Sequence, residues 1–213
     1  MSRARVVLAD DHAIVLDGLR RILENSFDLA GMAHDGRELV ELVRTLKPDV
    51  AIADISMPRL NGLDAFRQCR EAHFPTRFVF LTANPDVALA TQAFRLGASG
   101  YVLKQAASEE LVTAIREAHQ GRTYLTPRIA NEVMQNMMSG KITASGPELT
   151  TREREVLQLL AEGRTLKEAA AVLNVSPRTI EFHKNNIAEK TGLKTTAELA
   201  RYAARHGLVT DLL

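Results

Sequence analysis

The feature that most restricts the fold of this chain is an alternation. Apolar runs at residues 5–9, 28–33, 49–53, 77–81 and 100–103 are separated by segments in which apolar residues return at helical spacing. Short continuous apolar runs suit strands buried on both faces, the condition of a parallel sheet between helix layers. Val15, Leu19, Ile22 and Leu23 repeat at helical intervals between the first two runs, as do Leu111, Ala114, Ile115 and Ala118 after the last, so each helix can lay one stripe on the sheet. Asp35-Gly36, Lys47-Pro48, Asn61-Gly62, Asn84-Pro85 and Gly97 fall where turns are required. Right-handed crossovers then make a doubly wound, three-layer α/β unit with a five-stranded parallel sheet.

The residues that end those runs carry chemistry. Asp10 and Asp11 follow the first, Asp54 the third, Thr82 the fourth and Lys104 the fifth. In an open parallel sheet the carboxyl ends of the strands line one crevice, so these side chains converge. Taken singly each has an ordinary alternative. Asp10-Asp11 and Asp54 would serve as helix or turn caps, Thr82 as a partner of its own backbone, and Lys104 as a solvated surface charge. Together they compose the parts of one phosphoryl site. Three carboxylates in one crevice need a cation, and hard oxygen ligands beside phosphate point to Mg²⁺, with Asp11 and Asp54 as ligands and Asp10 holding metal-bound water. Asp54 is then the nucleophile toward phosphorus, forming an acyl phosphate. Lys104 pairs with one phosphoryl oxygen, and the Thr82 hydroxyl donates to another.

With 213 residues the chain has room for two small domains. No apolar run nears the roughly 20 residues of a membrane-spanning helix, and the first residues lead into a strand pattern rather than a secretory signal, so a cytoplasmic protein without membrane contact is expected. The single cysteine, Cys69, cannot form an internal disulfide and fits a reducing compartment. It reads as a small helix residue without a chemical role. The formal charge is +1, and from residue 149 onward ten Lys/Arg stand against eight Asp/Glu, a net of +2. Charge alone therefore does not announce a nucleic-acid partner, and the case for one rests on pattern.

That pattern begins after a stretch, 139–147, of small, polar and Gly/Pro-bearing residues that reads as a linker. A short helix started by Thr126-Pro127, with Ile129, Val133 and Met137 on one side, precedes it. Thr150/Glu153, Thr165/Glu168 and Thr195/Glu198 each have the Thr-x-x-Glu spacing of a capping box and mark three helix starts. The second of these helices stops at Asn174, and Val175-Ser176-Pro177 turns into another that runs to about Lys190. Helix, tight turn and helix at this spacing is a DNA-binding arrangement. On the last of these, Ile180 and Ile187 share the core face while Arg178, Phe182, Asn185 and Glu189 lie opposite. Phe182 can meet a thymine methyl and Asn185 a base edge, while Arg178, Thr179 and Lys184 reach phosphates. A polar helix with one stray exposed aromatic is the plainer alternative. His183 lies toward the core side and reads as a packing residue.

Residues 3–120 resemble the receiver domain of bacterial two-component response regulators, a flavodoxin-like fold. Asp54-Ile55-Ser56-Met57-Pro58-Arg59-Leu60-Asn61-Gly62 resembles the family's phosphoacceptor loop, and Leu81-Thr82-Ala83 with Gly97-Ala98-Ser99-Gly100-Tyr101-Val102-Leu103-Lys104 its switch region. The resemblance implies phosphoryl transfer from a histidine kinase to Asp54, Mg²⁺ bound by Asp11, Asp54 and the Ser56 backbone carbonyl with Asp10 in support, and Tyr101 as an aromatic that swings inward as Thr82 moves. Gln105 departs from the family, which often has Pro, Ser, Asp or Ala there. Residues 148–208, through Leu149-Thr150-Thr151-Arg152-Glu153-Arg154-Glu155-Val156-Leu157 and Ser176-Pro177-Arg178-Thr179-Ile180-Glu181-Phe182-His183-Lys184, resemble the LuxR-type helix-turn-helix of the NarL/FixJ class. By position, Glu181, Phe182 and Asn185 match base-reading sites, and Lys184 and Thr179 backbone contacts. Ala197, Ala200 and Ala204 on the last helix form a small flat face of the kind that dimerises in this class.

The expected organisation is a receiver at 1–122, a linker with a short helix at 123–147, and an all-α DNA-binding unit at 148–213. The expected function is a phosphorylation-controlled transcription factor, not an enzyme beyond the chemistry at Asp54, acting on a double-stranded operator as a homodimer. The resemblance further implies that the unphosphorylated effector packs on the receiver and hides its reading helix. Two alternatives remain at this point: a phosphohydrolase working through an aspartyl phosphate, and a receiver acting only by protein contact.

Overall fold

The computed structural model describes residues 3–83, 85–139, 149–193 and 195–209. Strands β1 (Arg5–Ala9), β2 (Asp28–Ala33), β3 (Val50–Asp54), β4 (Arg77–Thr82) and β5 (Gly100–Leu103) alternate with helices α1 (Ala13–Leu23), α2 (Gly36–Leu46), α3 (Gly62–Glu71), α4 (Val87–Arg95) and α5 (Ala107–His119). Beyond them lie a two-residue strand β6 (Tyr124–Leu125) and helix α6 (Pro127–Met138). All strand pairings are parallel, in the order β2-β1-β3-β4-β5-β6.

Side chains alternate strictly across the sheet, as the two-residue strand period requires. Val7, Ala51, Ala53, Phe78, Phe80 and Tyr101 enter the core beneath α2, α3, α4 and α6, whereas Val6, Leu8, Ile52, Val79 and Val102 enter the opposite core with α1 and α5. The small Ala51 and Ala53 leave room for a cluster in which Phe66 of α3 lies tilted against Phe78 and edge-on to Phe80 at centroid distances of 4.7 and 5.8 Å.

Six strands, rather than the expected five, make the sheet. The sixth pairs Tyr124 with Gly100 and Leu125 with Tyr101. It turns β5 from an edge into an interior strand, and the Tyr101 ring is fully buried. On α6, Ile129 and Val133 are buried as expected, but Met137 is 44% exposed. The expected linker run falls mostly outside the described residues.

Four further helices follow among the described residues: α7 (Thr151–Ala161), α8 (Leu166–Leu173), α9 (Pro177–Thr191) and α10 (Thr196–Arg205). Their common core holds Val156, Leu157, Leu160, Ala169, Ala170, Leu173, Ile180, Ile187, Leu199 and Ala203. All three capping boxes are formed. Asn174 ends α8 in the left-handed conformation, φ 51°, and the Ser176 hydroxyl accepts from the Thr179 amide at 3.1 Å to start α9 after the tight turn.

Candidate functional site

The carboxyl ends of β1, β3 and β5 bring Asp10, Asp54 and Lys104 together. The Lys104 Nζ lies 2.6 Å from Asp10 Oδ2 and 2.7 Å from Asp54 Oδ2. Burial would lower the Lys104 ammonium, but the two carboxylates against it prevail and hold it above its ordinary value. Burial also raises the Asp54 carboxyl above the usual aspartate value, against the pull of Lys104 and the Ser56 amide. The Ser56 amide donates to Asp54 Oδ1 at 3.3 Å. The Asp54 side chain is therefore oriented at both oxygens by donors that also compensate its charge.

The sheet's strand order reverses at β1 and β3, which makes their carboxyl ends the natural place for a ligand. Gly62 secures this corner from the other side. Its amide donates to the Ile55 carbonyl at 2.9 Å, and a Cβ on it would stand 2.0 Å from the Asp54 carbonyl oxygen. Helix α3 thus starts directly against the backbone of the acidic strand end.

Asp10 is buried, and its Oδ1 accepts the His12 amide at 3.0 Å. The His12 ring nitrogen lies 2.9 Å from Asp11 Oδ1 and 3.2 Å from Asp10 Oδ1. His12, which sequence reasoning passed over, is the N-cap position of α1. Asp10, Asp11 and His12 each offer a ligand atom within 4.8 Å of one another. Asp54 instead faces Lys104, outside that group. Three carboxylates against one ammonium leave two negative charges in excess around the strand ends, and the Asp11 side chain is open to solvent there. Hard oxygens with an uncompensated charge fit a divalent cation such as Mg²⁺.

Thr82, at the end of β4, is buried and shares a side-chain hydrogen bond with the Tyr101 hydroxyl, which also donates to the Asp86 carbonyl at 3.4 Å. Burial raises the Tyr101 phenol well above its ordinary value. Cys69 is buried on α3, where desolvation pushes its thiol up to about 12, in keeping with a packing role.

On α9, Arg178, Glu181, Phe182 and Asn185 are exposed, with Phe182 at 59%, while Thr179 and Lys184 are half-buried. Ile180 and Ile187 are fully buried beneath them. His183 is half-buried with its ring edge-on to Phe182 at 5.5 Å. On α10, Ala197 is exposed and Ala200 and Ala204 are half-buried, on the side away from the core residues Leu199 and Ala203.

The four-helix unit does pack on the sheet unit, but through α7, and the outer face of α9 stays open. The Arg154 Nε lies 2.6 Å from Asp64 Oδ1, the Arg37 guanidinium 3.3 Å from Glu155, and the Gln68 amide donates to Glu155 at 2.6 Å. Thr151 donates to Glu71 at 2.8 Å, and Glu162 accepts the Arg59 backbone amide at 2.9 Å. Sequence reasoning missed every one of these seam residues. A cleft of about 190 Å³ remains at the junction, lined by Asp11, Ser56, Met57 and Pro58 on one side and Gln158, Glu162, Leu208 and Val209 on the other.

Residues 6–116 match the family described as response regulator receiver domain, and residues 147–203 the one described as bacterial regulatory proteins, luxR family. The chain is 36% identical over 212 residues to the transcriptional regulatory protein MctR of Rhizobium johnstonii, covering 99% of this chain and 97% of that one. It is 38% identical over 214 residues to the oxygen regulatory protein NreC of Staphylococcus aureus, covering 96% and 99%. Among solved structures, RcsB of Salmonella enterica serovar Typhimurium, bound to a promoter in the presence of a phosphomimetic, superposes with a TM-score of 0.60 at 29% identity, covering 94% of this chain and 98% of that one. The receiver domain of the response regulator NarL from Mycobacterium tuberculosis does so with a TM-score of 0.55 at 34% identity, covering 57% and 100%.

Proposed function

The chain belongs to the bacterial response regulators that join a receiver domain to a luxR-family DNA-binding domain, and from that premise we propose that Asp54 is the residue through which a histidine kinase controls it. The single observation that carries this reading is the Lys104 ammonium held between Asp10 and Asp54 at the carboxyl ends of β1, β3 and β5. In phosphoryl transfer an Asp54 oxygen attacks phosphorus, the P–N bond to the kinase histidine breaks, and the imidazole leaves with a proton from solvent. The bound phosphate brings a charge of roughly −2. Lys104 then exchanges a carboxylate oxygen for a phosphoryl oxygen, and the Thr82 hydroxyl turns from Tyr101 to donate to another. Asp11, Asp54 and the Ser56 carbonyl would hold Mg²⁺, with Asp10 in support; when bound it compensates charge on the phosphoryl oxygens. Tyr101 is the aromatic that registers the move of Thr82.

The output is transcriptional. Glu181, Phe182 and Asn185 read base edges, Arg178, Thr179 and Lys184 hold the phosphate backbone, and Ala197, Ala200 and Ala204 give the face on which two copies meet over a two-fold operator. We assign residues 1–122 to the receiver, 123–147 to the linker and 148–213 to the effector. No helix among the described residues is long and apolar enough to cross a membrane, and the protein works in the cytoplasm. Relatives named as a transcriptional regulatory protein and an oxygen regulatory protein, each matched over nearly its whole length, favour this reading over a phosphohydrolase.

Labelling with phosphoramidate tests the acceptor: Asp54→Asn is expected to abolish incorporation, and undiminished labelling would move the nucleophile elsewhere. Beryllofluoride is expected to raise operator affinity at fixed salt, and an unchanged affinity would detach the receiver from DNA binding.

A further inference from the structure

The seam between the two units contains one uncharged side chain that grips the phosphoacceptor loop at both ends. Gln158 of α7 is 1% exposed. Its Oε1 accepts the Asn61 backbone amide at 2.9 Å and the Asn61 Nδ2 at 3.1 Å. Its Nε2 donates to the Met57 carbonyl at 2.9 Å and to Glu162 at 2.9 Å. All hydrogen-bonding capacity of the carboxamide is used, two bonds accepted and two donated. No other side chain of this length could do both jobs. Glutamate could not donate to the Met57 carbonyl, and lysine could not accept from the Asn61 amide.

What lies between the two grips is the segment that follows Asp54. Within it the Leu60 amide donates to the Pro58 carbonyl at 2.7 Å, and Arg59 takes the left-handed conformation, φ 66°, unusual for a side-chain-bearing residue. Glu162, itself bonded to Gln158, accepts the Arg59 amide and so holds that strained residue as well. Ser56 is the immediate neighbour of the gripped Met57, and both line the cleft that also contains Asp11. A backbone conformation of this kind persists where its surroundings over-determine it, and Gln158 and Glu162 among those surroundings belong to the DNA-binding unit.

We propose that Gln158 is a positioning residue for the phosphoacceptor site: by holding the Met57 carbonyl and the Asn61 amide it fixes the loop backbone that carries Ser56, and so sets the affinity of the receiver for its divalent cation. The proposal rests on the reading of Asp54 as phosphoacceptor with Mg²⁺ at the strand ends. Gln158 touches no reactant, and its influence runs through the loop. The effector is then a structural part of the site that controls it, and metal binding in the intact chain depends on a residue outside the receiver.

The test uses the full chain. Magnesium binding to the unphosphorylated protein is measured by calorimetry, and the Mg²⁺ dependence of phosphoramidate labelling by incorporation, for wild type, Gln158→Met, Gln158→Glu and Thr151→Ala. Removing partners outside the ligand shell of a metal typically weakens binding by about 10- to 100-fold, and a contact one step further out is expected to cost about 3- to 10-fold. Gln158→Met and Gln158→Glu should both raise the Mg²⁺ dissociation constant and the half-saturating Mg²⁺ by that factor, with the labelling rate at saturating Mg²⁺ held within about twofold. Thr151→Ala, which loses a seam contact remote from the loop, should bind Mg²⁺ as wild type does. Gln158→Glu keeps the side-chain volume, so a folding defect in the Met variant alone would leave the comparison intact. Wild-type Mg²⁺ affinity in both Gln158 variants, beside normal labelling of Asp54, would overturn the positioning role and spare the function. Labelling that survives Asp54→Asn would overturn both.

Discussion

The interior of the sheet unit and the seam where α7 meets α2 and α3 both bury side chains, with opposite materials. The first is filled by Leu8, Ile52, Phe66, Phe78 and Phe80, whose stability comes from apolar area removed from water. The second buries Asp64, Glu155 and Gln158 against Arg154 and Arg37. Ion pairs and amides withdrawn from water roughly offset their own desolvation, so they give fit without much net attachment. Water cannot replace the ring cluster, whereas it can replace each partner in the seam almost one for one. The molecule therefore has a rigid reader of phosphorylation and a separable joint, and the joint is where two arrangements can lie close in free energy.

The largest effect should come from the rigid region. Phe66→Ala removes a ring that contacts two others and is expected to cost about 3–5 kcal/mol in urea unfolding; a loss near 1 kcal/mol would mean that this core collapses as readily as the seam. Next is Lys104→Met, which leaves Asp10 and Asp54 facing each other without their cation and is expected to cost about 2–4 kcal/mol at neutral pH. The pH dependence sharpens this. Lys104 is raised above 10.5 on folding, so its contribution is full below that value and is lost as pH rises through the higher folded pKa. Asp54 is raised above 3.8, so its contribution is present below that value and lost as pH rises through the folded one. The urea midpoint of Asp54→Asn should accordingly gain on wild type as pH climbs from 3.8 and level off once the native carboxyl has ionised; a constant difference would contradict the burial of Asp54.

Smaller effects test the joint. Arg154→Met removes the closer of the two arginine partners of the buried Asp64, which keeps Arg67 at 3.4 Å and the Asn61 side-chain amide at 2.8 Å, and is expected to cost about 1–2 kcal/mol, while adding Asp64→Leu, which removes the buried charge itself, should recover part of it. A double variant as weak as the single would make the seam a true source of stability. The smallest expected change is Thr165→Ala, an exposed cap worth about 1 kcal/mol to the effector, read from effector amide exchange with the receiver unaffected.

Much of this was legible because the signals are local. Strand ends, the three Thr-x-x-Glu boxes and the Ile180/Ile187 stripe each depend on a few neighbouring residues, and the fold places them as read. Asp10, Asp54 and Lys104 converge because parallel topology forces strand ends into one crevice. The parts that escaped are long-range. Two residues, Tyr124-Leu125, carry no period, so β6 was invisible. Arg154, Glu155 and Gln158 look like the polar face of an amphipathic helix, and only the presence of α3 and the loop after Asp54 makes that face interior. His12 beside Asp11 had a signal in plain adjacency, masked by the stronger pattern of paired aspartates.

The covering of β5 by β6 and α6 has a mechanical consequence. Tyr101 pairs with Leu125, its carbonyl accepts the Thr126 amide at 3.0 Å, and its ring belongs to the same apolar cluster as Ile129 and Val133. In a bare edge strand a tyrosine can flip at the cost of one rotamer. Here the ring shares its apolar cluster with α6, and its backbone is bonded to the segment that leads into α6, so a flip would disturb both. Torsion at one side chain is thereby geared to the tether between input and output.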